Sequence, residues 1–227
     1  MTPNTAFAAL EALANVEKAA EMAAYHKVAR PYLGISVPQI DELAREWRQT
    51  LPLEERIELA SSLLGMGIHE TMIAGAKLLE QARIRPEDDS AWALISTWAQ
   101  GFEGEATSDY ASVSGQKRLV ANPARINDLE AWTKSENRWT RRAVLVMTLP
   151  WAKMNNPKAQ DIEIRERVLG WAAAAVADRN WFMQKAIAQW ISDLSRHDAE
   201  RAAAFLNEHG QGLKSFAQKD AARFLSL

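Results

Sequence analysis

Two arginines stand side by side, Arg141 and Arg142, in the stretch SENRWTRRAVLVMTLPW (Ser135 to Trp151). The residues that follow, Ala143, Val144, Leu145, Val146 and Met147, leave a helix no polar side. A helix start is already electropositive, so two cations there oppose the macrodipole. As an anion site the combination is coherent. Free backbone N–H groups, the dipole and bidentate guanidinium groups then all act in one direction. The plainer alternative is a surface ion pair with an acid such as Glu136. Tryptophan supplies a second signal. There are nine, and Trp132, Trp139, Trp181 and Trp190 fall near charged residues. At helical spacing a tryptophan most often packs a core. Beside arginines on a basic face it suits a nucleic-acid groove.

Other chemistries find no support. No phosphate-binding P-loop and no dinucleotide glycine fingerprint is present. Ser114 precedes a glycine but lacks the rest of a nucleophile elbow. His26, His69, His197 and His209 show no metal-ligand spacing. Zero cysteines exclude disulfides and thiolate chemistry. The expectation is a protein without metal or cofactor.

The charge is unevenly spread. The net charge is −2, yet Asp41 to Asp109 holds six basic against fourteen acidic residues, and Gln116 to Arg167 eleven against six. A basic middle on an acidic chain suits a polyanion; a solvated helical surface is the plainer reading.

The elements that must carry these residues read as helices. With 227 residues, 48% hydrophobic and 25% charged, the chain has the length and balance for a substantial core. It lacks a membrane-length apolar run and a signal-peptide pattern, which points to a cytoplasmic protein with no membrane partner. In SVPQIDELAREW, Ser36 is a candidate N-cap with Gln39 three residues on, and Ile40, Leu43, Ala44 and Trp47 follow helical spacing. PLEERIELASSLLG repeats the pattern with Gly65 as its stop. Further helices begin near His69, Pro86, Pro123, Asn137, Ala159, Arg179, Asp198 and Gly212, and no period-2 strand is evident. GFEGEATSDYASVSG (Gly101 to Gly115) is a loop or a weakly capped helix, with acids and hydroxyls easy to expose. Helix pairs recurring at roughly 35–45 residues predict an all-α fold. The form expected is a curved superhelical array of antiparallel, HEAT-like pairs spanning 1–227 as a single domain, monomeric by default.

Three segments together resemble the AlkD-type DNA alkylation repair glycosylases: YHKVARPYLGI (Tyr25 to Ile35), WTKSENRWTRRAVLVMTLPW (Trp132 to Trp151) and DRNWFMQKAIAQWISDLSRHD (Asp178 to Asp198). The resemblance runs from about Tyr25 to the C-terminus. It implies HEAT-like repeats that bind duplex DNA and remove N3- and N7-alkylated purines, with no need to flip the lesion into a pocket. The family's catalytic aspartate ends a W-D-x-V-D-like motif. Trp92 in WALIS offers one match, but four residues on stands Ser96. EATSD gives the better match and assigns the catalytic carboxylate to Asp109, with Glu105 where the motif has tryptophan. The family's K-A-I-G-W becomes Lys185-Ala186-Ile187-Ala188-Gln189, with Trp190 one place late.

On this resemblance Arg141 and Arg142 anchor phosphates flanking the lesion. Tyr25 closes one side of the groove. Lys185, Lys117 and Arg118 reach phosphates, and Trp139, Gln189 and Trp190 belong to the DNA surface. Each has a plainer reading: a helix-cap acid for Asp109, a core tyrosine for Tyr25, a solvated lysine for Lys185. Two other functions stay open. One is a catalytically silent DNA-structure binder on the same scaffold; the other is a helical-repeat protein-interaction module.

Overall fold

The computed structural model describes residues 1–225 and contains no strand among them. The chain divides into two compact units, Met1–Ala121 and Asn122–Leu227.

The first unit carries α1 (Pro3–Glu11), α2 (Val16–His26), α3 (Val37–Thr50), α4 (Leu53–Gly65), α5 (His69–Leu78), α6 (Asp89–Ala99) and α7 (Glu105–Ala121). Ser36 precedes α3 as expected, and the Gln39 side chain returns to accept from its N–H at 3.2 Å and its hydroxyl at 2.6 Å. The turn after Gly65 is short, so α4 and α5 lie side by side. Every residue of α5 is buried, and α3, α4 and α7 pack around it. Such a helix needs partners for its polar groups. Lys77 is paired with Asp41 at 2.7 Å and Glu80 at 3.3 Å. Glu70 accepts from the N–H groups of Leu33 at 2.8 Å, Gly34 at 2.7 Å and Ile35 at 3.3 Å. Gly34 sits at φ +77°, and a Cβ there would meet the Asn15 carbonyl oxygen at 2.1 Å. The Tyr25 to Ile35 segment is therefore clamped by a buried carboxylate.

In the stretch from Gly101 to Gly115, Glu105 onward forms the first part of α7, after a turn at 101–104. Thr107, Ser108, Ser112 and Ser114 are all buried, and the Ser114 hydroxyl donates to the Ala76 carbonyl at 2.7 Å. Small side chains let α7 approach α5 closely, which a count of polar residues does not reveal.

The second unit opens with a 3₁₀ turn (Pro123–Asn127) and α8 (Leu129–Trp132). Then come α9 (Arg138–Met147), α10 (Leu149–Ala152), α11 (Ala159–Ala175), α12 (Trp181–Ser195), α13 (Ala199–His209) and α14 (Ser215–Ala221). Helix α12 is its centre, packed by α9, α10, α11, α13 and α14. The apolar run Ala143 to Met147 is buried throughout, as its lack of a polar side requires. Asn137 caps α9 by accepting from the Trp139 N–H at 2.9 Å. Asn180 caps α12 by accepting from Phe182 at 3.0 Å and Met183 at 3.4 Å.

Candidate nucleic-acid interface

In the first unit the end of α2 and the start of α7 are neighbours. A Cβ on Gly104 would stand 2.9 Å from Val28, and Arg30 pairs with Glu103 at 2.7 Å while its other amino group meets the Met72 sulfur. Asp109 lies half-buried on α7, one helical turn beyond Glu105. Tyr25 is 82% exposed, so the core alternative for it fails. Its ring makes a T-shaped contact with the His26 ring, centroids 5.0 Å apart. His26 in turn packs on His69 at 4.5 Å, and His69 on Tyr32 at 4.8 Å. Burial lowers the His26 pKa, and the charges of Glu105 and Glu70 pull against it. Burial, with His26 and Arg30 adding to it, drives His69 down to about 4. Next to Asp109, Tyr110 lies beneath the Lys77 ammonium at 5.0 Å. Burial raises the Tyr110 pKa against the opposing Lys77 charge, so its hydroxyl stays protonated at neutral pH.

Lys117 is half-buried on the same helix. Arg118 is fully buried, which corrects its assignment to the DNA surface. It pairs with Asp88 at 2.9 Å and donates to the Gln81 carbonyl, so it serves as an internal tie.

In the second unit the two arginines separate in role. Arg141 is partly exposed and donates to the Ser135 carbonyl at 2.7 Å, the Glu136 carbonyl at 3.0 Å and the Asp178 carboxylate at 3.0 Å. The ion pair is with Asp178, not with Glu136. Burial pushes the Asp178 carboxyl up, but the Asn180 N–H and the Arg141 guanidinium outweigh it and hold the pKa below its usual value. Arg142 is 3% exposed, with its guanidinium 6.0 Å from the Trp139 ring centre. At that burial its guanidinium is withdrawn from the surface, so the assignment of Arg142 to a DNA phosphate is corrected.

Trp139 is half-buried and packs on Phe182 at 4.7 Å. Gln189 is exposed, whereas Trp190 is fully buried, so the late tryptophan does not replace the missing one at the surface. Lys185 lies 5.1 Å from the Trp181 ring, and Trp181 stacks on Phe216 at 5.7 Å. Trp181 is 47% exposed and joins Lys185 and Gln189 at i, i+4, i+8 on α12. Asp178 is the side chain that sequence patterns alone pass over, because it reads as a cap acid before Asn180, whereas Trp181 stands out only as one of four tryptophans near charge.

Part of the basic surplus between Gln116 and Arg167 is internal or already paired. Arg118, Arg125, Arg142 and Arg165 are buried, while Arg141, Lys153 and Arg167 are in ion pairs. Among the described residues no group of acids and histidines could hold a metal ion, and no helix is long and apolar enough to cross a membrane.

The fold is that of an all-α helical-repeat protein, with an acid and an exposed tyrosine in one unit and a tethered arginine in the other. The family described as DNA alkylation repair enzyme matches residues 6–225, and the chain belongs to it. Among solved structures, a predicted DNA alkylation repair enzyme from Enterococcus faecalis superposes with a TM-score of 0.77 at 19% identity, covering 94% of this chain and 97% of that one. AlkD2 from Streptococcus mutans gives 0.63 at 14% identity, covering 85% and 91%. The smu.31 protein from Streptococcus mutans UA159 gives 0.62 at 14% identity, covering 84% and 93%. At these identities the structures speak for the fold. A search of curated proteins gives no match. Membership of the family places the protein in DNA repair.

Proposed function

We propose that the protein is an N-glycosylase that removes N3- and N7-alkylated purines from duplex DNA, with Asp109 as the catalytic carboxylate. The observation that carries this is the position of Asp109 on α7. It is half-buried on a helix whose serine and threonine residues are buried, close behind the turn where Glu105 senses His26 beside the exposed Tyr25.

The chemistry asks little of the protein. An N3- or N7-alkylated purine already carries a positive charge. When the C1′–N bond breaks, its electron pair returns to the base, which leaves neutral. No acid has to protonate the leaving group, unlike an ordinary glycosidase. The sugar becomes oxocarbenium-like, and one carboxylate stabilises it and orients the attacking water. Water supplies the oxygen to C1′ and releases a proton. In the second unit Arg141 and Lys185 are the cations proposed for phosphates, with Trp139 and Gln189 beside the DNA; in the first unit Lys117 and Tyr25 are proposed for DNA contact. The protein acts on this reading as a monomer in the cytoplasm.

The test is to incubate the purified protein with N-methylated duplex DNA and separate the free bases. Release of 7-methylguanine or 3-methyladenine supports the reading; intact DNA alongside tight binding does not. That second outcome favours a silent DNA binder, for which Glu105 and the exposed Gln189 speak, since both remove aromatic surface.

A further inference from the structure

A cavity of about 320 Å³ opens within the second unit, between the α8–α9 connection, the end of α11 and the start of α12. Its size falls at the lower end of small-molecule sites, about 300–1,000 Å³. Val144, Leu145 and Met183 give it buried apolar walls, and Trp171 forms another side. The indole is held in place, its N–H donating to Glu130 Oε2 at 3.1 Å.

The charges around this chamber do not balance. Its two carboxylates, Glu130 and Asp178, already have guanidinium partners. Arg167 pairs with Glu130 at 3.1 Å, its centre 5.1 Å from the Trp171 ring, and Arg141 pairs with Asp178 at 3.0 Å. Lys134 also lines the cavity; it is exposed and makes no ion pair among the described residues. Three cations therefore stand against two carboxylates, and the surplus charge is at Lys134. Glu136 and Arg138, next along the chain, add one charge of each sign and leave that surplus in place. Arg179, beside Asp178, is engaged with the Gly212 carbonyl at 2.7 Å.

Donors are also left over. Arg141 uses Nη1 for two carbonyls and one Nη2 hydrogen for Asp178, so Nε–H and the other Nη2 hydrogen remain. A carboxylate at the rim takes charge-assisted hydrogen bonds from Lys134 and from these N–H groups. A cation in its place meets an uncompensated like charge, and a neutral group forgoes the charge assistance. The rim is solvated, so charge alone contributes little there. Most of the affinity has to come from an apolar body that displaces water from Val144, Leu145, Met183 and the indole.

We propose that this cavity binds a small organic monocarboxylate, its flat apolar body against Trp171 and the aliphatic wall and its carboxylate on Lys134 and Arg141. The site stands on the geometry of the second unit alone. It needs neither DNA nor the assignment of Asp109, so its failure and the failure of the glycosylase reading are separate results.

The experiment is isothermal titration of the full-length protein with 2-naphthoate. Three kinds of control vary one property each: 2-naphthamide removes the charge, 2-naphthylmethylamine reverses it, and acetate and inorganic phosphate keep an anion without the body. Wild type is expected to bind one naphthoate with a Kd of roughly 10 μM to 1 mM, as befits so small a ligand. The amide is expected to bind at least ~5-fold more weakly, and the amine, acetate and phosphate at least ~10-fold more weakly. Lys134→Glu reverses an exposed charge and is expected to weaken naphthoate at least ~5-fold while leaving the amide unchanged. Ala175→Trp fills the chamber from a half-exposed position and is expected to weaken both at least ~10-fold, with helical circular dichroism and Tm retained. The proposal is overturned if naphthoate shows no saturable binding up to several millimolar, or if the amide or amine binds as well. It is equally overturned if phosphate or acetate matches naphthoate, which would leave only a site for bare anions such as a DNA phosphate, or if folded Lys134→Glu or Ala175→Trp binds naphthoate as wild type does.

Discussion

The Nη2 of Arg141 lies 3.0 Å from Oδ2 of Asp178, and this pair ties the second turn of α9 to the loop that opens α12. Arg141 also turns back onto the Ser135 and Glu136 carbonyls, so cation and dipole do not simply oppose each other at this helix start. A guanidinium held from three sides is fixed before any anion arrives, which lowers the ordering cost of binding one.

The neighbouring arginines therefore behave differently when removed. Arg141→Ala is expected to weaken DNA binding about 10-fold at moderate salt and to reduce the salt slope by about 1. Arg142→Ala is expected to cost about 2 kcal/mol of stability through lost packing, with the salt slope unchanged. Binding isotherms at several salt concentrations, beside urea titrations, decide this. Equal salt slopes for the two variants would contradict it.

Glu70 predicts a purely structural loss. Glu70→Ala leaves the N–H groups of Leu33, Gly34 and Ile35 without their carboxylate inside the first unit. The expected cost is about 3–5 kcal/mol. Urea denaturation reads it directly, and a loss under about 1 kcal/mol would show that the turn finds other partners.

The first resembling segment thus owes part of its pattern to folding. Gly34 and the residues beside it are fixed by a carboxylate thirty-six residues away. Local patterns were legible: Ser36 with Gln39, the stop at Gly65, and the all-round apolar run of α9. The burial of Arg118 and Arg142 was not. A cation tied to Asp88 or set over an indole has the same sequence as one on the surface, because its partner is specified by packing rather than spacing. For α7, a run of Ser, Thr and Gly reads equally as a loop or as a close helix contact, and α5 decides between them.

His69 sets an acid limit. Its pKa is about 4 in the folded protein, against about 6.5 unfolded. The unfolded chain therefore binds more protons between these values, so stability is lost as pH falls from about 6.5 toward 4 and is unaffected by this group above about 7. His69→Phe keeps a ring beside His26 and Tyr32 and is expected to flatten the stability–pH curve between pH 7.5 and 5. Denaturant midpoints at the two pH values test this; an unchanged slope in the variant would contradict it.

In the register that puts the motif's aspartate at Asp109, Glu105 falls where the AlkD-type pattern has tryptophan. Glu105→Trp combined with Gln189→Trp is expected to raise the rate of release of 7-methylguanine by about 10-fold, through added stacking surface. Single-turnover rates at saturating protein measure this. A slower double variant would mean that the carboxylate at Glu105 contributes to the reaction.

The most direct measurement is single-turnover release of alkylated purine by wild type and by Asp109→Asn, with DNA affinity measured on the same preparations. The expected result is release by wild type, a loss of at least about 100-fold in the variant, and DNA affinity within about 2-fold of wild type. No release by wild type, or full activity in Asp109→Asn, would contradict the account.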